Sequence, residues 1–336
     1  MRKTPHPQAA TPMAFARTIV AACRRAGVDP LPALRLAQIA PSDLRQIHGR
    51  ITARQMELLS GAAMQALDDE ALGAFSRPLP WGSYGMLARA SLSAPHLGLA
   101  LKRWCRHHRL IAPDLSLHLE IDGREAAIGI DEHGRLNGQR EFCLVHVLRN
   151  VHGLACWYID SRIPLLQARF PYPAPAHVDA YDHMFPGPRT FAAGRAEIRF
   201  DAAYLAQPLR RDEAAMRQML QRALPLTVLQ YRRDRLLVQQ VRQTLAAWPE
   251  ATHNAAGLAA RLNISVRTLH RQLRDEGASL QALKDEVRHE RARELLLRSA
   301  RPIKQIAADV GFRSEKSFIR AFRAWAGVAP GDIRRA

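Results

Sequence analysis

Arg267, His270 and Arg271 sit close together in the last third of the chain, and Glu315, Lys316, Ile319 and Arg320 form a second such group further on. A guanidinium fork matches the two acceptors on a guanine edge, and each good pair of that kind discriminates by roughly 1–3 kcal/mol. In both groups these residues alternate with apolar ones, Leu269 and Leu273 or Phe318 and Phe322, which fall four apart and so face inward on a helix. Ser265, Arg274, Arg313, Ser314 and Arg323 flank the two groups, where hydroxyls and cations suit phosphate better than base edges. The implied chemistry is recognition of duplex DNA, with the first set reading bases and the flanking set gripping the backbone. A solvated charged face would have the same composition, but it would not require the same arrangement twice.

The elements that position these residues repeat as well. Leu258-Ala259-Ala260-Arg261-Leu262-Asn263-Ile264 is matched 48 residues later by Ile306-Ala307-Ala308-Asp309-Val310-Gly311-Phe312. Each is read as the first helix and turn of a helix-turn-helix, a unit whose sequence follows from its geometry. Ala259 and Ala307 are small where two helices cross. Asn263 and Gly311 occupy the turns, where a positive φ is needed and Gly or Asn enters at least cost. Ser265 and Ser314 then stand where a hydroxyl caps the next helix, predicting recognition helices that begin near Val266 and Glu315. Between the units, Leu280 to about Arg298 reads as one helix with Leu283, Val287, Ala292, Leu295 and Leu296 on a stripe. Two recognition helices so joined are expected to enter successive major grooves about 34–36 Å apart, on an asymmetric site.

Residues 232–336 resemble the DNA-binding domain of the AraC/XylS family of bacterial transcription regulators. The resemblance is most specific from Ile306 through Asp309-Val310-Gly311-Phe312, Phe318 and Phe322 to Pro330, and it extends to the linker segment Val287 to Leu296. His289 stands where the family has an aliphatic residue, and Ile333 where it has an aromatic one. The resemblance implies that Arg267, His270 and Arg271 in one helix, and Glu315, Lys316, Ile319 and Arg320 in the other, face bases. It also implies a promoter as target and RNA polymerase as a partner.

Charge agrees with a nucleic-acid partner. The chain of 336 residues carries 49 Lys+Arg against 31 Asp+Glu, a formal net charge of +18. Residues 232–336 hold 21 basic and 11 acidic residues, a net +10, against +8 over the rest. Such a domain gains affinity for phosphates by counterion release, although arginine outnumbers lysine throughout and a coding bias would add to the excess. No run approaches the length of a membrane-spanning helix and no signal-peptide core follows Met1, so a cytoplasmic protein with no membrane partner is expected. Cys23, Cys105, Cys143 and Cys156 lack C-x-x-C spacing, which argues against a metal site and for free thiols, with a redox pair as the alternative.

Residues 1–225 read as a separate α+β domain, ahead of an all-α DNA-binding domain at 226–336. Helices are predicted at Phe15–Ala26, Thr52–Leu67, Pro95–Ile111, Glu141–Tyr158 and Ala176–Met184. A hairpin is predicted around Asp122-Gly123, with further strands at Leu165–Phe170 and Ala196–Phe200. Arg17–Asp29, Leu97–Arg109 and Tyr181–Leu209 resemble the arabinose-binding-like sensing domain found in one branch of the family. Leu79 to Gly85 is read as a Gly/Pro-rich loop in which Trp81 and Tyr84 either line a ligand pocket or plug a gap between helices. Arg106 and His107, within a basic cluster from Arg103 to Arg109, either attract an anionic effector or form a solvated helix end. No nucleophile elbow, phosphate loop or zinc motif is present, so no enzyme, catalytic residue or cofactor is expected. The expected function is a regulator that a small effector switches, with Leu226 to Trp248 joining the domains and a homodimer as one further possibility. The alternative is a structural DNA-binding protein that only oligomerises through residues 1–225.

Overall fold

The computed structural model describes residues 9–221, 236–247, 254–299, 301–312 and 314–335. The chain divides into two compact units, Met1–Arg232 and Arg233–Ala336. The domain boundary expected after residue 225, and Leu226–Arg235 and Trp248 of the expected joining stretch, lie outside the described residues.

The first unit opens with a two-stranded ribbon, β1 (Ala9–Pro12) and β2 (Arg50–Thr52), with helices α1 (Met13–Arg25), α2 (Leu31–Leu36) and α3 (Ala53–Leu67) beside it. Thr52 and Gln55 close a capping box on α3, satisfying two orphan N–H groups reciprocally. Helices α4 (Ser83–Leu92) and α5 (Leu97–Ile111) follow, then strands β3 (Leu115–Asp122) and β4 (Glu125–Glu132) and the long helix α6 (Arg140–Tyr158). Strand β5 (Leu165–Arg169), helix α7 (Tyr181–Met184), strands β6 (Arg189–Thr190) and β7 (Ala196–Asp201) and helix α8 (Glu213–Leu220) complete the unit. The strands form one sheet in the order β3-β4-β7-β5-β6, antiparallel except for the last pair. Helices α5 and α6 pack on β3 and β7 and on each other. That double coverage explains why α6 is apolar nearly all round, burying Phe142, Val145, Leu148, Val151 and Trp157 alike.

Most sequence-predicted elements of this unit are present, with four differences. The hairpin turn falls on Gly123-Arg124, because Asp122 still pairs with Glu125 and Gly123 takes the positive φ of 56°. Burial fades along β3, so Leu115 and Leu117 are buried while Ile121 is 55% exposed. Ala176–Met184 splits into a 3₁₀ turn at Val178–Ala180 and α7. The fourth difference concerns the Gly/Pro-rich loop, which ends at Gly82: Ser83, Tyr84 and Gly85 form the first turn of α4.

The second unit holds helices α9 (Leu236–Ala247), α10 (Ala255–Arg261), α11 (Val266–Asp275), α12 (Leu280–Arg298), α13 (Ile303–Asp309), α14 (Glu315–Ala326) and α15 (Pro330–Arg335). It has two cores. One joins Val241, Leu245, Leu258, Leu269 and Leu273 to Leu280 and Leu283. The other joins Ile306, Val310, Phe318 and Phe322 to Ala292, Leu295 and Leu296. The N-terminal half of α12 therefore belongs to one core and its C-terminal half to the other, so a single rigid helix fixes the spacing of the two.

Candidate nucleic-acid interface and ligand cleft

The two helix-turn-helix units repeat their turn bond and the cap of the second helix, although the second copy is one residue longer after its turn. In the first, the Ile264 N–H donates to the Ala259 carbonyl at 3.0 Å, across a turn in which Asn263 has a φ of 53°. In the second, the Phe312 N–H donates to the Ala307 carbonyl at 2.8 Å, across Gly311 at 82°. Ala259 and Ala307 are both buried, and a larger side chain at either would hold the following helix away. Ser265 accepts from the Thr268 N–H at 3.1 Å, and Ser314 from the Ser317 N–H at 3.2 Å, so α11 and α14 start where the caps predict. Leu269, Leu273, Phe318 and Phe322 are buried to within 1%.

The opposite faces carry the charges. Arg267, His270, Arg271 and Arg274 on α11 are exposed, as are Lys316, Arg320 and Arg323 on α14. Among the described residues no ion pair involves these cations, whereas Arg242, Arg291, Arg298 and Arg301 of the same unit each face a carboxylate. Cations left without a carboxylate partner keep their donors for an external acceptor. Two positions are less free. Ile319 is half-buried and packs on the second core, and Glu315 is half-buried at the N-terminus of α14, where the helix dipole favours an acid. The Ser265 and Ser314 hydroxyls are engaged as caps, and each also bonds the hydroxyl three residues on, that of Thr268 or Ser317. Arg313 lies outside the described residues. His289, half-buried, packs its ring edge-on to Phe322 at 5.4 Å and beside Trp325 at 5.7 Å, filling the aliphatic position at the edge of the second core.

In the first unit, α4, α5 and α6 line a cleft of about 90 Å³ that opens to the surface. Its walls include Phe75, Leu87, Trp104 and Phe142, and its polar groups include Glu70, Tyr84, His108 and His146. Tyr84 is on the wall, its ring edge-on to Trp104 at 5.4 Å. Trp81, Arg106 and His107 are not among the lining residues: Trp81 is 48% exposed at the surface, and Arg106 points to solvent. The physical reason is helical phase. Leu101, Trp104, Cys105 and His108 recur at three and four residues and face inward, which turns Arg106 and Arg109 outward. That spacing would have singled out His108, which the charge cluster concealed.

Three consecutive acids hold the loop that leads to Tyr84. Asp68 accepts from the Trp81 N–H at 2.9 Å and Asp69 from the Leu79 N–H at 2.8 Å. Glu70 accepts from the N–H groups of Gly82 at 2.8 Å and Tyr84 at 2.7 Å, capping α4 from twelve residues upstream while Gly82 takes a φ of 103°. Burial raises the Glu70 pKa, against the lowering effect of those two N–H groups. Burial also pushes the His108 and His146 imidazoles down to about 4, so both are neutral at neutral pH. His146 Nδ1 lies 2.7 Å from the Phe142 carbonyl and must donate to it, which leaves Nε2 as an acceptor. The four cysteines are buried free thiols, with Cys105 raised to about 12 by burial. Among the described residues no cluster of His, Cys, Asp or Glu is arranged to hold a metal, and no helix is long and apolar enough to cross a membrane.

A pair of capped helix-turn-helix units on a shared helix, in a chain with a separate cleft-bearing α+β unit, defines a DNA-binding transcription regulator that carries a sensing domain. Comparison with known proteins gives the particular family. The arabinose-binding N-terminal domain of the AraC transcription regulator matches residues 27–209, and a helix-turn-helix domain matches 258–336; the chain belongs to the AraC family. It is 26% identical over 326 residues to the ornithine utilization regulator of Pseudomonas aeruginosa, spanning 97% of this chain and 96% of that one. The HTH-type transcriptional regulator VqsM of the same species is 34% identical over 98 residues, 29% of this chain and 30% of that one. Among solved structures, the transcriptional regulator CdpR of P. aeruginosa covers 91% of this chain and 96% of its own, at 22% identity and a TM-score of 0.35.

Proposed function

We propose that this chain is a one-component regulator in which residues 1–225 bind a small metabolite and residues 226–336 read an asymmetric promoter site through two successive major grooves. The observation that carries the DNA half is the pair of exposed cation faces on α11 and α14, tied to two cores that share α12. Arg267, His270, Arg271, Lys316 and Arg320 read bases, with Glu315 and the half-buried Ile319 at the edge of the contact. Arg274, Arg313 and Arg323 grip phosphates, and Ser265 and Ser314 set the helix starts that face the backbone. RNA polymerase is the partner at the promoter, and a second copy of the chain doubles the site where the regulator dimerises. Control by a metabolite draws support from the relative named for ornithine utilization, which aligns along nearly the whole chain. No enzymatic role is proposed.

The test is selection of bound genomic fragments by the purified chain, followed by salt titration on the best site and on random duplex. The expected result is one recurrent non-palindromic site, bound about a hundredfold or more above random DNA at physiological salt. Steep salt dependence without a preferred site would replace this reading with a ligand-independent structural DNA-binding protein.

A further inference from the structure

Two residues that line the cleft between α4, α5 and α6 carry buried polar atoms that no described residue satisfies. Tyr84 Oη and His108 Nδ1 are buried with no hydrogen-bond partner among the described residues, and His108 is only 6% exposed. Buried polar atoms are normally paired, because leaving them unpaired costs the folded state without return. Both residues line the same cleft, whose remaining walls are largely apolar and aromatic. A concave, mainly apolar site with a few convergent polar groups is the usual form of a small-molecule site.

Charge decides the ligand class. Among the described residues no lysine or arginine lines the cleft, both histidines there are neutral, and the carboxylate of Glu70 is present. An anion would enter with no counter-charge and with Glu70 opposing it. A cation would find Glu70 already accepting from two backbone N–H groups, with no other acid among the described lining residues. We infer that the cleft takes a small neutral molecule, mainly apolar or with a single aromatic ring, whose hydroxyl or carbonyl end pairs with Tyr84 Oη and His108 Nδ1. This is opposite to the anionic effector that the Arg106 and His107 cluster suggested. It rests on the reading that the first unit senses a metabolite, and it names the class of that metabolite.

The same helix offers a way to report occupancy. Tyr84 lies in the first turn of α4; a Cβ on its neighbour Gly85 would come within 3.2 Å of Leu220 Cδ1, and Arg89 pairs with Glu213 at 3.0 Å. Both of those contacts are with α8, the last described helix before the chain continues to the second unit. A ligand that re-seats Tyr84 therefore acts on the element from which the chain departs.

The experiment is calorimetric titration of the full chain with p-cresol and indole as neutral probes, and with benzoate and L-ornithine as charged ones. The expected result is one site for a neutral probe, at least about tenfold tighter than for either charged probe. Tyr84→Phe and His108→Leu should each weaken it about tenfold. Because Tyr84 Oη bonds no described residue, its removal should break no internal hydrogen bond, and an unchanged or raised melting temperature would verify that. Ala71→Phe, which puts a large apolar side chain on the cleft wall, should abolish binding and serves as a second variant if His108→Leu fails to fold. Preference for benzoate or ornithine, absence of binding by both neutral probes, or binding indifferent to all three substitutions would overturn the inference. Affinity for the selected DNA site is then measured with and without the bound probe. Binding that leaves DNA affinity unchanged would keep the site and its ligand class but remove its role as the sensor.

Discussion

Arg320 and Arg274 carry the same charge on equally exposed helix faces, yet their positions predict different roles. Arg320 lies in the second turn of α14, on the face opposite Phe318 and Phe322, whereas Arg274 is in the last turn of α11. Arg320→Ala should cost about 1–3 kcal/mol on the selected site and little on random duplex, because a lost base contact relaxes sequence preference. Arg274→Ala should weaken both duplexes alike and lower the salt slope by about one. Filter binding over a salt series separates the two, and equal losses on both duplexes for Arg320→Ala would remove it from the base-reading set. The residue scale also shows where composition misleads. The Arg103 to Arg109 cluster reads as a binding patch in the sequence, but helix phase turns Arg106 to solvent and His108 into the cleft.

Among the elements, α12 is the one on which two-groove binding depends. Leu280 and Leu283 near its start and Ala292, Leu295 and Leu296 near its end are its only fully buried side chains among those described, and they serve different cores. Glu290 lies between these groups and is exposed, so Glu290→Gly removes no core contact and costs about 1 kcal/mol of helix propensity at that point. A loosened connection should reduce affinity for the full site roughly tenfold, while a duplex carrying only one half of it is bound as before. Gel shifts on the two duplexes make the comparison. Equal losses on both would mean that α12 only stabilises each unit and does not space them. The elements of the second unit are legible in the sequence because their signals are local: caps, turn residues and four-residue apolar spacing all lie within two turns of the residue they govern. The start of helix α4 reads as a loop in the sequence because its cap comes from Glu70, twelve residues upstream, which no nearby pattern announces.

Across the whole molecule, stability should depend on pH through buried imidazoles. His108, His146 and His152 are each pushed down to about 4 by burial, from a value of 6.5 in the open chain. The unfolded chain therefore takes up protons below pH 6.5 that the folded chain refuses until about 4, so stability falls as pH drops through that window. Each imidazole contributes up to about 1.4 kcal/mol per pH unit below 6.5. For His146 and His152 the Arg149 guanidinium adds to the effect, while Glu70, whose pKa is raised, works the other way. The melting temperature of the first unit's transition should fall steadily from pH 7 to pH 5. A flat profile would mean that these rings are protonated in the folded chain and that the cleft is more polar than its walls indicate.

The sequence alone determined the helix-turn-helix repeat, its caps, its positive-φ turns, the shared helix and the outward faces of α11 and α14. Each of these follows from residues close in the chain, and the repeat supplied its own check. Tertiary structure alone decided the sensing unit's interior. The cleft collects Glu70, Tyr84, His108 and His146 from separate segments, and a wall residue becomes a wall only when a distant helix leaves room beside it. Charge and aromaticity in the sequence pointed to Trp81, Arg106 and His107, which packing leaves outside. Burial in the assembled unit made His108 and His146 neutral and, among the described residues, left Tyr84 Oη without a partner.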